Sequence, residues 1–473
     1  MKRILRHVLE ACVFFVLVFA ALFSVSRVVE RKASRKFFDA FLEDPKAYDV
    51  LFFGDSRFMN GMLPLEIWED YGIAGYNLSC HGSSLPVTYW SLCNALDYVQ
   101  PKLVVIAVDG VTGAEKITGS SGDLHMAFDF YPLTRTKMRA IEDLMYDPEA
   151  PDAVDDEGNL YRDIKWEYYL KLGKYHGRWK ELTEEDWRRR PYTGNGGEML
   201  VGVVPYEEYE IIEADVYAEE TGHGFAYLRK AIETCQSRGI EVMLVNTLSL
   251  AMLRDQMAAN TAASIAEEYG IDFVDITRLD CIVDYMVDCY DRQPHLNVSG
   301  TQKVTDYLGS YIRSRYDLPD RRKDVRYREW AGRHDAYRDE KMQLIRQQSE
   351  FNNILMMLHD DDYDVSMYIG PNAPVYSDDL AIVLMHNMAR EHVLAGEEYE
   401  KGSAFMYPLE GFDDALRNPK PYYLERRNGH IKETVGQQAH AMTKQAFGKT
   451  DEDAVLLKVF DRRTGSIVKQ FEF

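Results

Sequence analysis

The chain has 473 residues, a formal net charge of −22, and 46% hydrophobic and 12% aromatic residues. That length suggests two or three domains with ample apolar material for their cores, and the acidic balance argues against nucleic acid as a partner, because phosphate binding needs a basic face. Six cysteines are too few for a disulfide scaffold in a chain this long.

The start of the chain, MKRILRH, is basic, and Ala11–Ser26 carries no charge. At about 1.5 Å per residue that run spans roughly 24 Å, short of the ~30 Å hydrocarbon core. Val8, Leu9, Val28 and Val29 extend it if Glu10 and Arg27 snorkel. An uncleaved signal anchor and a signal-peptide h-region both fit. Ser24-Val25-Ser26 matches poorly a small-x-small cleavage site that prefers Ala, which favours the anchor over residues 1–30, followed by a linker over 31–48. Either reading puts the rest of the chain outside the cytoplasm, with Arg27, Arg31, Lys32, Arg35 and Lys36 weakening the charge asymmetry that sets orientation.

From Asp49 onward, apolar strand-like runs alternate with helical ones. DVLFFG (49–54), GYNLS (75–79), KLVVIAV (102–108), IEVMLVN (240–246) and IDFVDI (271–276) read as strands. Helices are expected over Pro86–Val99, Phe225–Arg238, Asp255–Tyr269 and Ser299–Tyr311. Such alternation predicts an α/β domain over 49–317, with a parallel sheet covered by helices on both faces. Between residues 111 and 224 the rhythm fails, and the charged, aromatic stretch WKELTEEDWRRRPYTGNGGEML (179–200) reads as an inserted lid or cap. The densely charged segment 318–350 is expected to be a solvated helical linker. Strands over 364–369 and within 454–473 define a small C-terminal module, α+β or β-rich, over 351–473. A chain ending near Tyr316 is then expected to fold without it.

Ser56 falls just past the first strand, in GDSR (54–57), at the sheet edge where ligands of open α/β folds sit. A helix N-cap is the structural alternative for this serine. His295, in CYDRQPHLNVSG (289–300), lies at the other end of the same domain, with Asp291 close enough in sequence to orient its ring. No spacing of Cys, His, Asp and Glu calls for a metal or a cofactor. His125 reads as a structural histidine rather than a site residue, and the acidic run HDDDYD (359–364) as a solvated turn rather than a cation site. Cys281 and Cys289 read as buried free thiols, with a local disulfide as the alternative. Asn77 and Asn297 begin sequons by pattern only.

With those residues in view, Asp49 to about Tyr316 resembles an SGNH (GDSL-type) hydrolase, in the membrane-anchored branch that handles acyl groups on cell-surface polymers. The resemblance implies a flavodoxin-like three-layer fold, Ser56 as nucleophile and His295 as base. It also implies an oxyanion hole from the backbone N–H groups of Ser56 and Gly82, the latter in YNLSCHGSS (76–84). Two positions depart from the family pattern. Arg292 stands where the acid is expected, so Asp291 takes that role across a one-residue insertion, with Asp288 as the weaker substitute. DGVTG (109–113) follows the third strand where the family has an Asn donor. The C-terminal module loosely resembles the interleukin-like inducer modules of surface glycan proteins.

The expected chemistry is therefore serine-dependent ester hydrolysis or acyl transfer on O-acyl groups, acetyl above all, of a cell-surface polysaccharide. Tyr161, Trp166, Tyr168, Tyr169, Trp179, Trp187 and Tyr192 in the insertion offer ring faces that suit sugars, or else form its own core. Glu181, Glu184, Glu185, Asp186 and Arg188 to Arg190 make it too polar for a lipase lid. The bilayer is a partner through the N-terminal helix, and a membrane-embedded acyltransferase is a candidate second partner. The rival reading is a non-catalytic scaffold that binds glycan.

Overall fold

A computed structural model of the chain describes residues 2–30, 40–44, 47–112, 115–117, 119–187, 194–205, 210–247, 252–279, 282–293, 295–358, 360, 362–377 and 409–473. It opens with α1 (Lys2–Val29), which is long and apolar enough to cross a membrane. Glu10 in its first turns is neutralised by Arg6 at 2.8 Å.

The α/β domain is built on β1 (Val50–Phe53), β2 (Gly75–Asn77), β3 (Leu103–Ala107), β4 (Glu241–Asn246) and β5 (Asp272–Asp275), all parallel, in the order β2-β1-β3-β4-β5. That is a doubly wound order whose direction of winding reverses between β1 and β3. Successive residues of each inner strand enter opposite cores. Leu51, Phe53, Val104, Ile106, Val242 and Leu244 pack on one face, and Val50, Phe52, Leu103, Val105, Met243 and Val245 on the other. Both faces are dry, so the strands need no polar alternation and read as unbroken apolar runs.

Helices fill the intervals. α2 (Ser56–Met59) and α3 (Pro64–Tyr71) follow β1, and α4 (Leu85–Ala95) follows β2. α5 (Ser121–Phe128) and α6 (Arg135–Leu144) lie in the insertion. α7 (His223–Ser237), α8 (Leu253–Tyr269) and α9 (Val298–Arg315) complete the layers. α4, α7 and α8 contribute to the first core and α9 to the second, so the sheet is the middle of three layers.

The insertion is two structures rather than one cap. Its first part has a small core in which Leu124, Phe128, Ile141, Leu144, Tyr161 and Tyr168 meet Cys80 and Val87 of the main domain. Residues 194–205 instead run along the sheet edge. Asn77 donates its N–H to the Asn195 carbonyl at 2.9 Å, and Val298 to that of Leu200 at 2.8 Å.

The segment read as a solvated linker is corrected by its helix α10 (Arg328–Gln347), one face of which is buried. Trp330 and Tyr337 belong to the α/β core, whereas Met342 and Ile345 belong to the core of the C-terminal module. Its charges misled because their partners are remote in sequence. Lys341 is 1% exposed and bonds Glu66 at 2.6 Å, Asp360 at 2.6 Å and Asp362 at 2.8 Å. Burial opposes its charge, but the three carboxylates hold it protonated, well above the ordinary lysine value. The acidic run is corrected by the same contacts: Asp360 and Asp362 are internal ion-pair partners, and Asp364 meets Arg462 at 3.1 Å. His359 and Asp361 lie outside the described residues.

After α11 (Phe351–Met357), the module is α+β. Its strands are β6 (Tyr363–Ile369), β7 (Tyr422–Arg427), β8 (His430–Val435), β9 (Val455–Asp461) and β10 (Ile467–Glu472), with α12 (Glu410–Arg417) before β7 and α13 (Gln437–Phe447) after β8. The antiparallel order is β10-β9-β6-β7-β8. Sequence reading found β6, β9 and β10 but not the β7–β8 hairpin. Its signal is Asn428-Gly429, both at positive φ (48° and 76°) as a two-residue hairpin turn requires.

Because α10 belongs to two cores, the module is not expected to be dispensable. A chain ending at Tyr316 should be insoluble, and Lys341→Met should cost about 3–5 kcal/mol by stranding buried carboxylates. Denaturant unfolding checks both, and a soluble, cooperatively folding truncated domain would refute the shared-core account.

Candidate active site

Strand β1 ends at Gly54 because nothing larger fits. A Cβ there would lie 2.8 Å from the Ala107 Cβ and 2.8 Å from the Phe58 Cβ. The bare backbone lets the end of β1, the end of β3 and the first turn of α2 touch, and the chain turns at once into Asp55-Ser56. Asp55, not Ser56, is the cap of α2: its carboxylate accepts the Arg57 N–H at 2.9 Å. The N-cap reading of Ser56 is thereby displaced, and its hydroxyl is directed elsewhere.

Its partner is His295. Ser56 Oγ lies 2.8 Å from His295 Nε2, although the residues are 239 apart in sequence. The other ring nitrogen, Nδ1, lies 2.8 Å from Asp291 Oδ2. Serine, imidazole and carboxylate thus form one continuous relay at the C-terminal edge of the parallel sheet. The spacing from acid to histidine follows from the loop's shape. Tyr290 N–H donates to the His295 carbonyl at 2.8 Å and Asn297 N–H to that of Asp288 at 2.9 Å. These bonds draw the two ends of the loop together. Asp291 Oδ1 accepts from the N–H of Gln293 (2.8 Å) and of His295 (3.2 Å), leaving Oδ2 for the ring. Burial works to raise the Asp291 carboxyl. The imidazole and the two N–H donors outweigh it and hold the group below its ordinary value.

Asp288 is spent otherwise. It is fully buried and accepts both oxygens' worth of bonds from Lys303 Nζ at 2.8 Å, and one from the Asp284 N–H at 2.7 Å. Gly300 lets α9 pack onto this residue, since a Cβ would lie 2.8 Å from the Asp288 carbonyl oxygen. The insertion braces the loop from outside, with Val204 N–H on the Cys289 carbonyl at 2.9 Å. Cys289 is a free, buried thiol, and Cys281 lies outside the described residues.

The loop carrying Gly82 is tied to the serine turn, because Cys80 N–H donates to the Gly54 carbonyl at 3.1 Å. Gly82 itself has φ +59°, and a Cβ would press within 3.0 Å of the Asp123 carboxylate and the Gly119 Cα.

Three residues at the same sheet edge escaped sequence reading. Arg57 pairs with Asp55 at 2.7 Å and reaches the Asp109 carbonyl at 3.3 Å. Asp109, two residues after β3, accepts the Thr247 hydroxyl at 2.7 Å. Burial raises the Asp109 carboxyl above its ordinary value, against the pull of Arg57 and that hydroxyl. Their positions just beyond β1, β3 and β4 were the available signal.

Other candidates are structural. His125 is fully buried, bonds Asp129 at 3.1 Å and stacks on Tyr168 with ring centroids 4.0 Å apart. The amides of Asn77 and Asn297 cap local turns through Ser79 N–H at 3.0 Å and Gly300 N–H at 3.2 Å. Among the described residues no group of acids, histidines and cysteines could hold a metal ion. A scan against protein-family models and a search of curated proteins find no match to the chain.

The two acids should separate in a stability assay. Asp288→Asn leaves Lys303 buried without its counter-charge and should cost about 3–5 kcal/mol. Asp291→Asn, on a partly open loop, should melt close to wild type. Equal loss in both variants would make Asp291 a structural residue.

Proposed function

We propose that this chain is a membrane-anchored serine esterase or O-acyltransferase of the SGNH type, acting outside the cytoplasm on O-acyl groups of a surface polysaccharide. The observation that carries the reading is the Ser56–His295–Asp291 relay, with both of its hydrogen bonds at 2.8 Å. A structural serine gains nothing from an imidazole already oriented by a carboxylate; a nucleophile requires it.

Ser56 Oγ attacks the ester carbonyl while His295 Nε2 takes its proton. Asp291 holds the ring in the tautomer that accepts at Nε2 and stabilises the imidazolium that forms. The tetrahedral oxyanion lies against the backbone of Ser56 and the Gly82 loop. Each such donor contributes roughly 10²–10³ in rate. His295 returns the proton to the departing alcohol, leaving an acyl-serine. Water then gives hydrolysis, or a sugar hydroxyl gives transfer, with the same imidazole as base. The polar insertion and the apolar α1 favour short acyl groups on a polymer at the cell surface over lipid esters.

Purified protein should react with a fluorophosphonate at Ser56, and Ser56→Ala should abolish the label. Turnover should be highest on p-nitrophenyl acetate and fall with acyl length, and Asp291→Asn should lower it by roughly 10⁴. Faster cleavage of long-chain esters would refute the glycan reading. A chain that neither labels nor turns over any ester would be the non-catalytic scaffold. Protease added to intact cells should digest everything beyond α1, and full protection would refute the outward topology.

A further inference from the structure

The insertion touches more than the domain that carries it. Its segments 172–180 and 184–187 pack against the C-terminal end of α1. Along most of its length α1 is exposed, but Ser26, Val29 and Glu30 are buried. Arg178 Nη1 donates to the Val29 carbonyl at 2.6 Å, one of the carbonyls that a helix end leaves without an intrahelical donor. Lys171 pairs with Glu30 at 3.1 Å, and Asp186 holds Arg178 in place at 3.0 Å.

This contact fixes the insertion's height above a membrane. The uncharged run of α1 ends at Ser26, and Val29 lies three residues further on. At about 1.5 Å per residue the Arg178 contact is roughly 4–5 Å beyond the apolar run. The headgroup layer is about 5–8 Å thick on each side of the hydrocarbon core. A segment bonded to the helix at this point, at or just past the end of the apolar run, lies within reach of that layer.

Its exposed side chains suit such a place. Trp179 and Trp187, on the two segments that grip α1, are 64% and 68% exposed, and Trp166, packed over Gly173, is 50% exposed. Lys180 Nζ sits 5.5 Å from the Trp179 ring centroid. Indoles with a polar edge, interleaved with lysines, concentrate at membrane–water interfaces. By contrast Tyr161, Tyr168 and Tyr175 are buried in the insertion, and Tyr192 lies outside the described residues. Tyr169 is half-buried with its hydroxyl on Glu142, so the most open rings of the insertion are the tryptophans, two of them on the segments that contact the helix end.

We propose that the insertion is a membrane-interface platform: Trp166, Trp179 and Trp187 lie in the headgroup layer of the bilayer that α1 crosses. The proposal rests on α1 being a retained anchor and is independent of any esterase activity. The platform is also coupled to the site. Lys174 Nζ bonds Ser121 Oγ at 3.1 Å, at the start of the helix whose capping carboxylate, Asp123, abuts Gly82. The relay is thus tethered through packed structure at a fixed distance from the membrane, rather than swinging on a flexible stalk.

The test uses the full chain in phosphatidylcholine vesicles with bromine on the upper acyl carbons, a quencher that reaches only interfacial indoles. Since α1 contains no tryptophan, any quenching arises in the folded part. Wild-type emission should be quenched, and the quenching should vanish in W166F/W179F/W187F, which keeps Trp68, Trp90 and Trp330. If the triple variant folds poorly, W179F/W187F should still remove most of the effect. Quenching that survives in a folded triple variant overturns the platform. So does unquenched emission from a chain that floats with the vesicles, which would leave these rings to a glycan or a second copy. A chain that fails to float removes the anchor and the platform together. Fluorophosphonate labelling of Ser56 in the same samples reads the proposed activity separately.

Discussion

The site depends on an absence of volume at Gly54. Two strand ends and a helix start converge there at van der Waals contact, and any side chain would push them apart. The convergence turns β1 into the Asp55 cap, aims the Ser56 hydroxyl out of the sheet edge, and lets the Gly82 loop bond back through Cys80. Relay geometry tolerates little error, because a misplacement of about 1 Å can cost 10²-fold in rate. The precision comes from a packed junction of backbone, not from the three side chains of the relay themselves.

The opposite partner, His295, is held by a different device. Its loop is closed by backbone bonds at 290 and 297, braced by the insertion, and seated on a helix that packs through Gly300 onto the buried Asp288–Lys303 pair. One acid carries structural charge and the other orients an imidazole. Three residues apart, Asp288 and Asp291 take these roles because one faces the core and the other the rim.

Much of this was legible in the sequence for identifiable reasons. β1, β3 and β4 are buried on both faces, so apolar runs revealed them, and GDSR and HLNVSG mark chain turns whose local chemistry is fixed by few residues. What escaped was non-local. The charges of α10 look like a solvated surface until Glu66, 275 positions away, is seen on Lys341. The edge-hugging stretch at 194–205 has no periodicity of its own, because its backbone bonds go to β2 and α9. The β7–β8 hairpin is a different case: Asn428-Gly429 was a strong local signal, overlooked beside the more hydrophobic strands around it.

The buried asparagines carry a practical consequence. Asn77 and Asn297 satisfy the acceptor pattern for N-linked sugar, yet both amides are enclosed and fully employed, and the serines two positions on are buried. A glycan attached to either during synthesis in a eukaryotic secretory pathway could not be accommodated, and that molecule could never close its core. In such an expression host, occupancy at these sequons would mark chains intercepted before folding, and replacing Ser79 or Ser299 by alanine would protect yield without touching the relay.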